Sequence, residues 1–304
     1  MKIIDLLLGG GLGNQMFQYA FARSLALRSD ENILLRISRY DFRNNPSGRD
    51  YSLNKLNLPD NIKLMTNFQE FLTRKKFNFI KEIYRLKHGF ELHDFYTDSV
   101  IFIEDFDKFV PELVKNNFIK KNLIISGGFQ AWKYFSDCAP QIREELKVRT
   151  PPSDKNAKII KELESCESVC VHVRRGDYLA LNWNKVCDYE YYDRAIKYIL
   201  NKVKSPVFYF FSNTHEDIEW LKNNWSFPYA DIKYIDFNNP DYEELRLMYS
   251  CKHFVIANSS FSWWGSYLSD NTEKIICAPS KWIDERPIEK LNLFMPDWKI
   301  IHDD

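Results

Sequence analysis

Residues 169–178 read VCVHVRRGDY, and this stretch predicts how the second half of the chain folds. An apolar run ends abruptly in His172 and in the adjacent cations Arg174 and Arg175. Such a run is typical of a buried parallel strand that opens into a loop, and in an open α/β sheet these loops form the ligand crevice. Two guanidinium groups there suit a phosphate-bearing ligand, because their forked donors match phosphate oxygens. The alternative is a pair of structural ion pairs with Asp177 or a nearby glutamate.

Beyond this stretch, apolar strands alternate with helical segments up to residue 277, which predicts a doubly wound domain. Two further predicted strands also end in polar residues, and the topology brings all of these ends to one crevice. Cations, hydroxyl groups and a helix that begins at Ser259 or Ser260 together favour a pyrophosphate site. The residues at the two further strand ends are Ser212, Asn213, Asn258, Ser259, Ser260 and Phe261.

The N-terminus predicts a second sheet of the same kind. A strand over residues 2–8, a glycine-rich turn, a helix over 14–29 and a strand over 32–37 form a β-α-β unit. The glycine spacing, with Gly11 and Gly13 in the turn, fits neither the dinucleotide fingerprint nor a P-loop, so it indicates close backbone approach to another ligand. The amides of Asn14 and Gln15 could reach a sugar or a phosphate, although helix capping by Asn14 is an equal alternative.

Length and composition limit the classes of protein. The 304 residues predict two domains, 1–150 and 151–304, joined by a linker at 149–153 that contains two prolines. Lys+Arg and Asp+Glu both number 42, so no net charge attracts nucleic acid or an anionic membrane. The six cysteines lack metal-ligand spacing and are interpreted as reduced and structural, as in a cytoplasmic protein. No apolar run is long enough to span a membrane. The cations of a basic helix over 67–90 are interpreted as a solvated face, and peripheral contact at the inner membrane face is the alternative.

Two further motifs have competing interpretations. Asp105 and Asp107 superficially resemble a metal-binding pair, but two acids on an exposed helix or loop explain them better. Trp263 and Trp264 follow the third polar strand end; paired tryptophans on a helix are usually core, and the alternative is a wall against a sugar or purine face. His172 is a candidate base or phosphate donor, or a histidine simply hydrogen-bonded in place.

Together, four segments resemble the bacterial α-1,2-fucosyltransferases of glycosyltransferase family 11. They occur in the order of that family and span nearly the whole chain: GGLGNQMFQYAFARSLA at 10–26, GGFQAWKYF at 127–135, HVRRGDY at 172–178 and CKHFVIANSSFSWWGSYLS at 251–269. The resemblance implies an α/β protein of the GT-B type, with two Rossmann-like domains facing a cleft, an acceptor-side N-terminal domain and a C-terminal domain that binds GDP-fucose. It also implies inversion at the anomeric carbon and no requirement for a metal or other cofactor.

The resemblance assigns expected roles to individual residues. Arg174 would hold the donor diphosphate with Arg175 as its neighbour, while His172 and Asp177 are candidate bases. The other expected donor contacts are Gly11, Gly13, Asn14, Gln15, Ser212, Asn213, Asn258, Ser259, Ser260 and Phe261. Candidate acceptor contacts are Gln130, Trp132 and Trp263. Asp217, in a segment that departs from the FSDD of relatives, is a candidate for guanosine contact.

The expected partners are GDP-fucose and a galactose-terminated oligosaccharide or lipid-linked glycan, with no nucleic acid. Three alternatives stay open at this point: a transferase of the same fold with another sugar or linkage, a glycan- or nucleotide-binding protein without turnover, and an NAD-dependent enzyme. The adjacent arginines disfavour the second, because binding alone does not require stabilisation of a leaving group. The glycine spacing disfavours the third.

Overall fold

Two six-stranded sheets organise the chain in this computed structural model. The structure describes residues 1–43, 50–89, 94–176, 186–236, 238–282 and 291–302. By its internal contacts the chain divides into one unit of Met1–Lys147 with Leu291–Leu293 and another of Val148–Lys290 with Phe294–Asp304. The predicted α/β class, with two largely parallel sheets, is confirmed.

The first unit builds its sheet around the N-terminal strand. The strands are β1 (Lys2–Leu7), β2 (Ile33–Ser38), β3 (Ile62–Leu64), β4 (Phe95–Tyr96), β5 (Val100–Ile103) and β6 (Leu123–Gly127). Their order is β3-β2-β1-β6-β5-β4, and all neighbours are parallel except β4 and β5. The strand order therefore reverses between β1 and β6, which is where open α/β sheets bind ligands.

The helices of the first unit begin where the sequence supplies turns and caps. They are α1 (Leu12–Leu27), α2 (Tyr40–Arg43), α3 (Asn67–His88) and α4 (Ala139–Glu145). Helix α1 is apolar or small around most of its circumference and is almost wholly buried. Helix α3 begins with a capping box, in which Thr66 and Gln69 satisfy each other's backbone amides.

The second unit contains an all-parallel sheet. Its strands are β7 (Glu167–His172), β8 (Pro206–Phe211), β9 (Asp231–Tyr234), β10 (His253–Val255), β11 (Ile276–Pro279) and β12 (Lys299–Ile301), in the order β12-β11-β10-β7-β8-β9. Its helices are α5 (Asp154–Ser165), α6 (Tyr189–Leu200), α7 (His215–Asn224), α8 (Asp241–Tyr249) and α9 (Ser260–Leu268). This is the dinucleotide-fold strand order, and the switch point lies between β7 and β10.

Two tyrosines of α6 donate hydrogen bonds to the backbone on both sides of the switch point. The hydroxyl of Tyr191 donates to the carbonyl of Ile256 at 2.6 Å, and that of Tyr192 donates to the carbonyl of His172 at 2.8 Å. Both rings are fully buried. Because these bonds fix the backbone after β10 and at the end of β7, they hold the two loops that begin there in register.

The six cysteines are all free thiols, as predicted, and four of them are buried. No helix among the described residues is both long enough and apolar enough to cross a bilayer.

Candidate active site

Arg174 stands at the switch point of the second sheet. Strands β7 and β10 are neighbours with Val171 opposite Val255, so the segments that follow them leave the sheet side by side. With its amide oxygen turned toward the guanidinium, Asn213 accepts from Arg174 Nη1 at 3.1 Å and Nε at 3.2 Å. Two residues from separate predicted strand ends are thus in contact, and Arg174 itself is half-buried.

His172 lies beneath this arginine as a neutral imidazole. Burial, with a smaller effect from the charge of Arg174, lowers the pKa of His172 to about 3. Its Nδ1 atom is buried and has no hydrogen-bond partner among the described residues. A ring with this pKa can exchange hydrogen bonds with a ligand, but it does not carry positive charge to a diphosphate at neutral pH.

Arg175 has a different environment from Arg174. Its guanidinium carbon lies 3.3 Å from the ring centroid of Trp220, and its Nε is 3.6 Å from Asp217 Oδ1. The other carboxylate oxygen of Asp217 accepts from the backbone amide of Gly176 at 3.3 Å. The structural ion pair expected with Asp177 or a nearby glutamate is formed by Arg175 with Asp217 instead. Asp177 lies outside the described residues.

The polar residues after β8 and β10 are largely engaged with the chain itself. Ser212 Oγ donates to the carbonyl of Val173 at 2.8 Å, and Asn258 Nδ2 donates to that of Trp282 at 2.7 Å. Ser259 caps α9 by accepting from the amide of Phe261 at 3.4 Å. The hydroxyl groups thus shape the loops, and the amides at the start of α9, with Ser260 at its first position, are the groups suited to an anion.

Phe261 joins the two sides of the switch point. Its half-buried ring lies 6.2 Å from that of His172, centroid to centroid. The aromatic side chain of α9 and the imidazole of β7 therefore border the same space as the start of α9.

In the first unit, Gln15 holds the glycine turn rather than facing outward. It is fully buried, and its Nε2 donates to the carbonyls of Gly10 at 3.1 Å and Asp50 at 2.8 Å. Its Oε1 accepts from the amide of Ser52 at 3.2 Å. Both ends of this amide are satisfied by backbone, so the expected donor contact of Gln15 is replaced by a positioning role. Gly11 caps α1, and Gly13 lies buried within it.

Gln130 is the side chain best placed for a ligand at the switch point of the first sheet. Its Nε2 donates to Oδ1 of Asn14 at 3.3 Å, which joins the loop after β6 to the first turn of α1. Its Oε1 is buried and lacks a hydrogen-bond partner among the described residues, and the residue is only 8% exposed. An unsatisfied buried carbonyl oxygen of this kind suits a hydroxyl group of a ligand.

The two tryptophans named as acceptor contacts differ in exposure. Trp263 is fully buried, stacked on Tyr267 with centroids 4.9 Å apart and edge-on to Trp264. The acceptor contact expected of Trp263 is therefore corrected to a core position. Trp132 is half-buried, and its backbone amide donates to the carbonyl of Asn292 at 3.3 Å.

The acidic pair is not exposed as a whole. Asp107 is buried, its Oδ2 accepts from the amide of Asn292 at 3.3 Å, and its carbonyl accepts from the side chain of the same residue. The exposure predicted for both acids is therefore wrong for Asp107, because residues distant in sequence cover it.

A separate group of potential metal ligands, not foreseen from the sequence, consists of His215, Glu219 and Asp236. Lys222 Nζ lies 2.7 Å from Glu219 and 3.5 Å from Asp236. His215 Nδ1 is 2.8 Å from Asp236. Lys222 therefore lies against both carboxylates, and the hydrogen bond to Asp236 raises the pKa of His215.

Sequence reasoning also missed Glu244 on α8. Burial, followed by the nearby Asp241, raises the pKa of the Glu244 carboxyl to about 8, and Arg174 opposes the shift. The group is thus largely protonated at neutral pH within the electrostatic reach of Arg174. Glu244 is half-buried, and a glutamate in the helical segment DYEELRLMY has no local signal that marks its carboxyl as desolvated.

Two doubly wound units, one of them with an arginine at its switch point, match the plan of a glycosyltransferase with two Rossmann-like domains. The chain belongs to glycosyl transferase family 11, whose family model matches residues 3–302.

Its relatives agree on the class but not on the transferred sugar. The chain is 32% identical to an alpha-1,2-colitosyltransferase of Escherichia coli, over 97% of each protein. It is 26% identical to the human galactoside alpha-(1,2)-fucosyltransferase 1 over 48% of this chain and 43% of that protein. Among solved structures, a mutant of Arabidopsis thaliana FUT1 in complex with GDP superposes with a TM-score of 0.51 at 15% identity, over 90% of this chain and 70% of that one, which supports the fold.

Proposed function

We propose that the protein transfers L-fucose from GDP-β-L-fucose to the 2-hydroxyl of a terminal β-galactoside, with inversion at the anomeric carbon. The observation that carries this proposal is the position of Arg174, half-buried at the switch point and in contact with Asn213. A forked cation at this place suits the diphosphate of a nucleotide sugar. The α-1,2 linkage is supported by the names of the relatives.

The proposed mechanism places positive charge where the leaving group becomes negative. As the bond from fucose to phosphate breaks, the sugar becomes oxocarbenium-like and the GDP leaving group gains negative charge. Arg174 and the backbone amides at the start of α9 would stabilise that charge through preorganised hydrogen bonds. We propose that no divalent ion is required, because these groups provide the same electrostatic stabilisation.

His172 is too weak a base to accept the proton of the attacking hydroxyl group. An imidazole whose pKa lies at about 3 is a weak base, so His172 is assigned a hydrogen-bonding role at the donor. Deprotonation of the acceptor would then be late, with the phosphate or water receiving the proton. On the acceptor side, Gln130 Oε1 is proposed to accept a hydrogen bond from a sugar hydroxyl.

The second candidate is transfer of colitose, favoured by the identity to the colitosyltransferase. Colitose is L-fucose without its 3-hydroxyl, so the two donors share the GDP group and the reacting carbon. Discrimination between them rests on whether the site hydrogen-bonds that hydroxyl: a site built to do so strongly rejects the deoxy sugar.

The deciding experiment measures turnover of GDP-fucose and GDP-colitose by the full chain. The acceptors are a panel of galactose-terminated oligosaccharides and a lipid-linked glycan, each with and without EDTA. We expect GDP-fucose to be preferred, NMR of the product to show an α-1,2 linkage, and EDTA to have no effect. A preference for GDP-colitose would establish the second candidate, and loss of turnover in EDTA would refute the metal-free mechanism.

A further inference from the structure

Helix α3 has apolar side chains on two opposite faces. Its inner face is seated on the first sheet, where the rings of Phe77 and Phe102 meet edge to face at 5.6 Å and Tyr84 stacks on Phe95 at 4.3 Å. In the second turn of the helix, Thr73 Oγ1 donates to Asp5 of β1 at 3.2 Å. These contacts fix the rotation of the helix and therefore which side faces away from the unit.

The outer face carries an apolar stripe. Phe68, Phe79 and Leu86 are 68%, 65% and 66% exposed, and Leu72 and Ile83 beside them are exposed as well. At 100° per residue these five side chains fall within an arc of about 60°. Six of the twelve exposed large hydrophobic residues in the described part of the chain lie on this one helix, so the stripe is a local feature and not general surface composition.

The charges around the stripe identify the kind of partner. Lys75 borders the stripe on one side, Lys76 and Lys87 border it on the other, and all three are exposed. Glu82 is the one acidic residue on this outer face. A symmetric dimer through this face would bring these lysines toward their own copies, whereas an anionic lipid surface accepts both the rings and the ammonium groups.

We propose that α3 docks the protein onto an anionic lipid bilayer. The helix lies parallel to the surface, with the stripe at the boundary between headgroups and acyl chains. The lysines extend their stems along that boundary and place their ammonium groups at lipid phosphates. This inference does not depend on the proposed transfer reaction.

The test is flotation of the full chain with vesicles of phosphatidylcholine alone or mixed with phosphatidylglycerol. Two triple variants separate the apolar contribution to binding from the electrostatic one. They are Phe68→Ser/Phe79→Ser/Leu86→Ser and Lys75→Glu/Lys76→Glu/Lys87→Glu. The matched control, Lys158→Glu/Lys161→Glu/Lys204→Glu, changes three exposed lysines of the second unit. Circular dichroism and thermal unfolding check that each variant folds, and single Phe79→Ser replaces the apolar triple variant if that one does not.

We expect the native chain to float with anionic vesicles only, and the control to behave like it. The lysine variant should bind roughly 100-fold more weakly, at about fivefold per lysine near an anionic surface. The apolar variant should lose roughly tenfold or more. Failure of the native chain to float would overturn the proposal, and so would undiminished binding of the apolar variant, which indicates adsorption by charge alone. A dimer in analytical ultracentrifugation that the apolar variant abolishes, without vesicle binding, would assign the stripe to a second copy.

Discussion

At the scale of single residues, two adjacent arginines have separate surroundings. Arg174 contacts a side-chain amide at the switch point, whereas Arg175 stacks on an indole and faces a carboxylate. Removal of Arg174 should therefore impair the reaction, because a catalytic cation of this kind stabilises the transition state by about 3 kcal/mol or more. Arg174→Ala is expected to lower kcat/KM at least roughly 100-fold, and steady-state kinetics with GDP-fucose measure this.

The matched control for that prediction is Arg175→Ala. Loss of the cation–π and Asp217 contacts should lower the unfolding midpoint, with a smaller effect on kcat/KM than Arg174→Ala. Equal kinetic losses in the two variants, or a near-normal rate in Arg174→Ala, would contradict the separate roles.

A second residue-scale prediction concerns acid stability. The pKa of His172 in the folded protein, about 3, is below its unfolded value of about 6.5, so between these values the unfolded state binds the extra proton. The contribution to stability is thus complete above about pH 6.5 and is lost as pH falls. His172→Asn should remove that loss, amounting to about 2 kcal/mol at pH 5 relative to pH 7.5.

Urea unfolding of both proteins at the two pH values measures this difference. For each protein, the change in the free energy of unfolding between the two pH values is compared, because the substitution also changes the stability at pH 7.5. Parallel pH dependence in His172→Asn and the native protein would show that the imidazole is not held neutral.

At the scale of elements, strand β6 ends in a backbone conformation that a side chain does not tolerate. Gly127 has φ +145°, and a Cβ atom there would lie 2.1 Å from the carbonyl oxygen of Ile103. Gly127→Ala is expected to destabilise the protein by about 3 kcal/mol, because either the strand pair or the backbone must move. A Cβ on Gly9 would meet nothing closer than 3.8 Å, so Gly9→Ala serves as the control. Similar unfolding midpoints for the two variants would contradict this account.

Elements with strong periodicity were predicted well, and short ones were not. The helical pattern at about residues 215–224 predicts α7, which occupies those residues, and the apolar run at 207–211 predicts β8 within one residue of its start. Strands β3, β4, β5 and β12 were not predicted. Each has two to four residues, too few for an alternating pattern, and each becomes a strand only because a neighbouring strand pairs with it.

At the scale of the whole molecule, the division into two units predicts two unfolding transitions. Differential scanning calorimetry with added GDP should raise only the transition of the unit that contains Arg174. At about 100 times the dissociation constant, the added free energy of unfolding is ~2.7 kcal/mol. The Arg174→Ala variant should show a smaller shift at the same GDP concentration. An equal shift of both transitions would contradict binding of the nucleotide by that unit alone.

The amino-acid sequence by itself determined most strands of the two sheets, the helices between them and the polar residues at the strand ends. These features depend on local patterns: buried parallel strands are apolar throughout, and turns and caps are specified by adjacent residues. The resemblance of four ordered segments to family 11 was also readable from the sequence alone, and the family model confirms it.

Only the tertiary structure decided which polar residues have their hydrogen bonds and charges satisfied within the chain. Arg174 and Arg175 are chemically identical neighbours, and Trp220 and Asp217 distinguish them from a distant part of the chain. Likewise, Gln15 is satisfied by backbone while Gln130 Oε1 is not. The physical reason is that burial and hydrogen bonding depend on residues brought together by folding, which local sequence patterns do not specify.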